Sequence, residues 1–142
     1  MSGSRPGLGV GLIGFGTIGT GVARVLQDNA DAIAARLGFP LRLARIADLD
    51  LTRDRGVDLT GIHFDADAEA LIDDPAVHLV VELIGGYESA RKLILRALAR
   101  GKPVVTANKE LLANVGAELF SVVDAAGVDL LFEAAVAGGI PL

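Results

Sequence analysis

The chain has 142 residues, 51% of them hydrophobic and 22% charged, and 18 acidic against 13 basic residues give a net charge of −5. That length suits one domain of roughly 100–150 residues, and the apolar content is too high for a chain left disordered by a shortage of burial. The absence of Cys excludes a disulfide scaffold, a thiolate zinc site and a Cys nucleophile, while the acidic balance argues against a nucleic-acid partner.

Met1 to Gly9 is rich in Ser and Gly and carries no apolar run, so it reads as a flexible leader or tag remnant, with the folded domain spanning 10–142. Val10 to Ile13 is a short apolar strand stopped by Gly14. Thr17 to Arg36 has apolar residues at three- and four-residue steps, and Gly38 and Pro40 end that helix. Leu41 to Ala47 alternates as a strand and ends at Asp48; Leu49 to Gly61 is a charged loop, and Ile62 to Phe64 a small edge strand. Asp67 caps a short helix to Ile72. Val77 to Ile84 is the strongest strand, broken by Gly85 and Gly86. Ser89 to Arg100 is helical, Pro103 to Thr106 a strand, and Lys109 to Ala126 a helix with a candidate break at Gly116; Asp129 to Phe132 is the last strand. Strands alternating with helices define an α/β chain, a doubly wound, mostly parallel sheet with helices on both faces. No apolar stretch reaches the ~18 residues of a membrane span, so a membrane is not among the expected partners.

Gly14, Gly16 and Gly19 have the G-x-G-x-x-G spacing between a strand and a helix, which makes the fold Rossmann-type. The first Gly permits the tight turn, the second lets backbone approach a pyrophosphate, and the third allows close helix–strand packing. The amides of Gly16, Thr17 and Ile18 then face an anion at a helix N-terminus. A carboxylate at the end of the second strand bonds the adenosine ribose in such folds. Asp48 stands there, 29 residues beyond Gly19, with Asp50 as a rival. Arg53 and Arg55 are either solvated loop charges or receptors for a 2′-phosphate, so NAD or NADP is open. Lys109 begins a helix at a strand's carboxyl end. A cation there opposes the macrodipole, and a Lys so placed can donate to a carbonyl oxygen. Glu82, inside an apolar strand, is an active-site carboxylate or a capped polar group. His63 and His78 read as structural or surface residues, without metal-ligand spacing.

Val10 to Gly19, Val80 to Gly86, Lys102 to Lys109 and Phe132 to Pro141 resemble the nucleotide-binding domain of homoserine dehydrogenase. The Thr-Ala-Asn-Lys run and the Glu-Ala-Ala-Val-Ala-Gly-Gly-Ile-Pro run are its specific parts. The resemblance implies NAD(P)-linked interconversion of L-homoserine and L-aspartate 4-semialdehyde in threonine, methionine and isoleucine synthesis. It further implies a pyrophosphate site at Gly14, Gly16, Thr17, Ile18 and Gly19. Ile84, Gly85, Thr106 and Ala107 would lie along the nicotinamide half, and Lys109 would be the active-site Lys touching cofactor and substrate. Backbone carbonyls of Glu133, Val136, Gly138 and Ile140 would hold a sodium ion. The family's chain continues into a substrate domain that carries most of the dimer contacts, so the resemblance implies a homodimer for the full-length protein, while the lack of Cys and of a targeting segment fits the cytoplasm. For this stretch alone it implies dinucleotide binding with little or no catalysis. The other readings are a second amino-acid or semialdehyde dehydrogenase sharing the domain, and a nucleotide-sensing module, which would not need Lys109.

Overall fold

In the computed structural model the described residues are 7–84, 86 and 88–132. Six strands form one sheet: β1 (Leu8–Ile13), β2 (Leu41–Ala47), β3 (His63–Asp65), β4 (Leu79–Glu82), β5 (Val104–Thr106) and β6 (Leu130–Phe132). Five helices connect them: α1 (Thr17–Asp28), α2 (Ala30–Leu37), α3 (Ala68–Asp73), α4 (Glu88–Ala99) and α5 (Lys109–Ala126). The order across the sheet is β3-β2-β1-β4-β5-β6, and every neighbouring pair is parallel. This is the doubly wound α/β architecture expected from the alternation of elements.

Two apolar clusters lie on the two sides. Val10, Leu12, Phe15, Ala23, Leu43 and Ile46 form one, joined by Val22 and Leu26 of α1 and by Val57, Leu59 and Ile62 from the loop before β3. The other joins Ile13, Ala47, Val80 and Val104 to Leu71 of α3, Ile94 and Leu98 of α4, and Leu111 and Leu119 of α5. Covering on both sides explains why β1 is buried from Gly9 to Ile13 without alternation. Among the described residues no helix is long and apolar enough to cross a membrane.

Four elements differ from the sequence reading by more than one residue at a boundary or in their continuity. β1 starts at Leu8, inside the expected leader, because Leu8 pairs with Leu41 and donates to the Pro40 carbonyl at 2.9 Å. The single helix expected over 17–36 is two, divided at Asn29. There the backbone N–H and Nδ2 both donate to the Val25 carbonyl, at 3.0 and 3.1 Å, and close α1. Asn competes with the helix for backbone partners, which apolar periodicity does not register. β4 spans only Leu79–Glu82, since Val77 donates to the Asp74 carbonyl in a turn at 2.9 Å. α5 runs through Gly116 unbroken; a mid-helix Gly costs only about 1 kcal/mol against Ala, and packing of Leu111 and Leu119 on either side offsets it.

Candidate functional site

The sheet order reverses between β1 and β4, and ligands of such sheets bind beyond the carboxyl ends of the strands at that point. A crevice of about 550 Å³ opens there, with Gly14, Gly16, Asp48, Leu49, Leu83 and Ile84 among its walls. Gly14 has φ +103°, and a Cβ on it would stand 2.9 Å from the Leu83 carbonyl carbon. On Gly19 a Cβ would stand 2.1 Å from the Gly14 carbonyl oxygen, so α1 approaches the turn as closely as backbone permits. Gly16 is different: apart from its chain neighbours nothing lies within 4 Å of a Cβ placed there, and Gly16 lines the crevice. Gly16 is also the N-cap of α1, and α1 has neither a side-chain cap nor an acidic residue in its first turn. By contrast, Asp67 and Asn108 cap α3 and α5 through their side chains. The free N–H groups of α1, exposed at Gly16, Thr17 and Ile18, together with the helix dipole form a receptor for an anion. The residues present therefore fit a pyrophosphate.

Phe15, between the first two glycines, is buried and pins the loop. Its ring packs edge-on to Phe64 at 5.5 Å, and the Arg55 guanidinium stacks over it at 4.6 Å. Its N–H donates to Asp48 Oδ2 at 2.6 Å, while Arg55 Nε donates to its carbonyl at 2.5 Å. Asp48 thus stands at the crevice, as expected from sequence, and also braces the glycine turn. Its Oδ1 accepts from the Asp50 N–H at 2.8 Å and lies 3.6 Å from the Arg55 guanidinium. Asp50 is not among the lining residues; its Oδ1 accepts from the N–H and hydroxyl of Thr52. Those bonds, with the Arg53 N–H and the Arg55 charge, hold its carboxyl below the ordinary 3.8.

The two loop arginines part company. Arg55 is not a solvated charge: its side chain is buried, and it donates to the carbonyls of Arg53 and Asp50 at 2.9 and 2.7 Å. Arg53 is exposed and lines a second hollow with Thr17, Thr20 and Arg24.

At the last residues of β4 and β5 the polar side chains are buried. Glu82 and Thr106 are both 0% exposed, and the Thr106 hydroxyl donates to Glu82 Oε1 at 2.5 Å. Glu82 is thereby the capped polar group rather than a solvent-facing acid. Ala107 is half-buried, and Lys109 opens α5 behind Asn108. Gly85 and the carbonyl set Glu133, Val136, Gly138 and Ile140 lie outside the described residues. His78 Nδ1 accepts from the Gly9 N–H at 2.8 Å, and His63 lies 2.8 Å from Asp65. Sequence reading did not pick out the crevice walls Leu49, Ala66, Ala68, Ser89 and Leu93. Leu49 carried a signal, an apolar residue between two acids, and it stands 91% exposed.

Fold and crevice together define a Rossmann-type nucleotide-binding domain. The family described as "Homoserine dehydrogenase, NAD binding domain" matches residues 14–133, and the chain belongs to it. It is 47% identical to the homoserine dehydrogenase of Corynebacterium glutamicum, over 99% of this chain and 32% of that protein. It is 42% identical to that of Bacillus subtilis, over 94% of this chain and 31% of that protein. The crystal structure of a homoserine dehydrogenase from Thiobacillus denitrificans superposes with a TM-score of 0.85 at 42% identity, over 93% of this chain and 30% of that one. The chain thus spans about a third of the length of the relatives it matches.

Proposed function

We propose that this chain holds the dinucleotide for the interconversion of L-homoserine and L-aspartate 4-semialdehyde. The observation that carries the reading is the uncapped start of α1, with the open space at Gly16, at the switch point of a sheet whose family binds NAD. Gly14, Gly16, Thr17, Ile18 and Gly19 would hold the pyrophosphate. Asp48 would accept from the ribose hydroxyls with the lone pairs its loop bonds leave. Exposed Leu49 and the small residues Ala66 and Ala68 suit the flat adenine.

Ile84, Gly85, Thr106 and Ala107 would border the nicotinamide half. The Thr106 hydroxyl is already committed, so its share is backbone. The bound dinucleotide supplies or accepts hydride. Lys109 would donate a hydrogen bond to the substrate oxygen, stabilising negative charge there as the carbonyl is reduced, and hold the proton that the alkoxide takes up. Carbonyls of Glu133, Val136, Gly138 and Ile140 would take the monovalent cation. The full-length protein is read as a cytoplasmic homodimer.

Two measurements test this. Calorimetric titration of the 142-residue chain with NAD, NADP and their reduced forms should show saturable binding; no heat at millimolar ligand would sink the dinucleotide reading. The full-length protein should reduce NAD(P) with L-homoserine at a rate the isolated stretch does not approach. Full-length turnover by the stretch alone would show that it holds the whole active site.

A further inference from the structure

A carboxylate buried at 0% exposure is a poor stabiliser of a fold, because desolvation offsets most of what its bonds return. Glu82 is such a group, and it stands where three strands end together: Ile13 pairs with Glu82, and Glu82 with Thr106. Its two oxygens serve two different segments of the chain. Oε2 accepts from the Ile84 N–H at 2.9 Å, in the stretch that leaves β4 and walls the crevice. Oε1 accepts from the Thr106 hydroxyl at 2.5 Å. That hydroxyl in turn accepts from the Asn108 N–H at 3.2 Å. Asn108 Oδ1 caps α5 by accepting from the Leu111 N–H at 2.9 Å, while its Nδ2 donates to the Gly86 carbonyl. The bonds close a circuit that runs from the stretch after β4 to the first turn of α5 and back.

We infer that Glu82 is a positioning residue: through Ile84, Thr106 and Asn108 it locks the crevice wall and the first turn of α5 into one arrangement, so that Lys109 starts from a fixed backbone. This rests on the reading of Lys109 as the residue that meets the substrate oxygen. The carboxylate is needed because it is acceptor-only. It accepts on both oxygens, whereas an amide of the same shape turns an N–H toward one of these donors.

The test uses Glu82→Gln, Thr106→Val, Thr106→Ser and Lys109→Ala in the full-length protein, with two readouts. The first is homoserine oxidation, split into kcat and the dinucleotide Kd. Glu82→Gln should lower kcat by about 10-fold or more while Kd stays within about 3-fold, since misplacement of a catalytic group is felt in turnover before binding. Thr106→Ser, which keeps the hydroxyl, should turn over at least about 5-fold faster than Thr106→Val. The second readout is hydrogen exchange at the Ile84, Asn108 and Leu111 amides, which needs no substrate. It should quicken about 10-fold or more in Glu82→Gln and Thr106→Val, because their native bonds are lost or strained.

Exchange and kcat both unchanged in Glu82→Gln would overturn the inference, as would a fall in kcat matched by an equal rise in Kd. Equal loss in Thr106→Ser and Thr106→Val would also overturn it, by assigning the effect to packing. Unchanged turnover in Lys109→Ala, with exchange faster in Glu82→Gln, would refute the proposed chemistry while leaving the circuit as structure. Should Glu82→Gln not fold, the Val and Ser pair at 106 decides the matter alone.

Discussion

Gly16 and Gly19 lie three residues apart, at the N-cap and in the first turn of α1, yet the structure assigns them opposite faults on conversion to Ala. A Cβ at Gly19 would meet the Gly14 carbonyl oxygen at 2.1 Å, far inside contact distance and against backbone rather than a side chain able to swing aside. The first turn of α1 must move, and overpacking of this kind costs about 1–3 kcal/mol. With a urea slope of about 2 kcal/mol/M, the unfolding midpoint falls by about 1 M for a loss of about 2 kcal/mol. At Gly16 the φ is −80° and nothing lies within 4 Å, so Ala fits the fold. Loss of unfolded-state freedom favours Ala by about 0.4–1 kcal/mol. The weaker N-cap propensity of Ala opposes it by a similar amount, so stability stays within about 1 kcal/mol of the parent. The methyl group instead fills the space where backbone would meet the pyrophosphate, and affinity for dinucleotide should fall at least about 10-fold, or about 1.4 kcal/mol. The chain has no Trp, so unfolding is best followed by far-ultraviolet circular dichroism and binding by calorimetry. Gly16→Ala with parental affinity, or Gly19→Ala with parental stability, would refute the account of this loop.

The remaining expectations concern the brace and the acid range. Asp48→Asn keeps the shape of the carboxylate and should lower the NAD-to-NADP affinity ratio about 5-fold or more; an unchanged ratio in paired titrations would move ribose recognition elsewhere. Arg55→Met strips donors from three carbonyls and the counter-charge from Asp48. It should cost about 2–4 kcal/mol and speed proteolysis within residues 49–56, and a parental midpoint with an uncut loop would contradict this. Low pH should destabilise the fold. Asp73 is held below the ordinary 3.8 by Arg96 and Arg100, and Asp74 by the Ala76 N–H and Arg45. For Asp65 burial pushes up, but the Asp67 N–H, His63 and Arg45 outweigh it. Folded carboxyls that bind protons less readily than unfolded ones add stability that is complete above about pH 5 and is lost as pH falls through the folded values. The urea midpoint should hold between pH 7 and 5 and drop by pH 3; equal midpoints at 7 and 3 would count against these ion pairs.

How much of this was legible depended on how local its cause is. β2 and the Asp67 cap follow from neighbours along the chain, and both stand where alternation and capping put them. The glycine turn was legible because its three demands sit within six residues. Arg55 was not. Its local context is a run of loop charges, and its burial is decided by Phe15 and Phe64, which close over it from the glycine turn and from β3. Glu82 showed only that a charge sat in an apolar strand; its partner Thr106 lies 24 residues on and meets it through sheet register. Asn29 misled because period outweighed the one polar residue able to close α1 from within.

The brace also constrains coenzyme choice. Phe15 is held from three directions: its N–H by Asp48, its carbonyl by Arg55 and the Thr20 hydroxyl, and its ring by Phe64 and the guanidinium. Asp48, the residue proposed to read the ribose, is therefore also a strut of the turn proposed to hold the pyrophosphate. Any substitution there changes both, so an altered coenzyme ratio in Asp48→Ala would mix lost ribose contacts with a loosened turn. Asp48→Asn separates them only in part, because one of its two terminal atoms no longer accepts. Arg53 carries no such burden: its side chain is exposed beside the hollow that borders Thr17 and Arg24. A shift in preference between a free ribose hydroxyl and its phosphate is thus cheaper through Arg53 than through Asp48. Arg53→Ser should move the NADP affinity with the unfolding midpoint unchanged, and a midpoint that falls together with the affinity would show that Arg53 belongs to the strut as well.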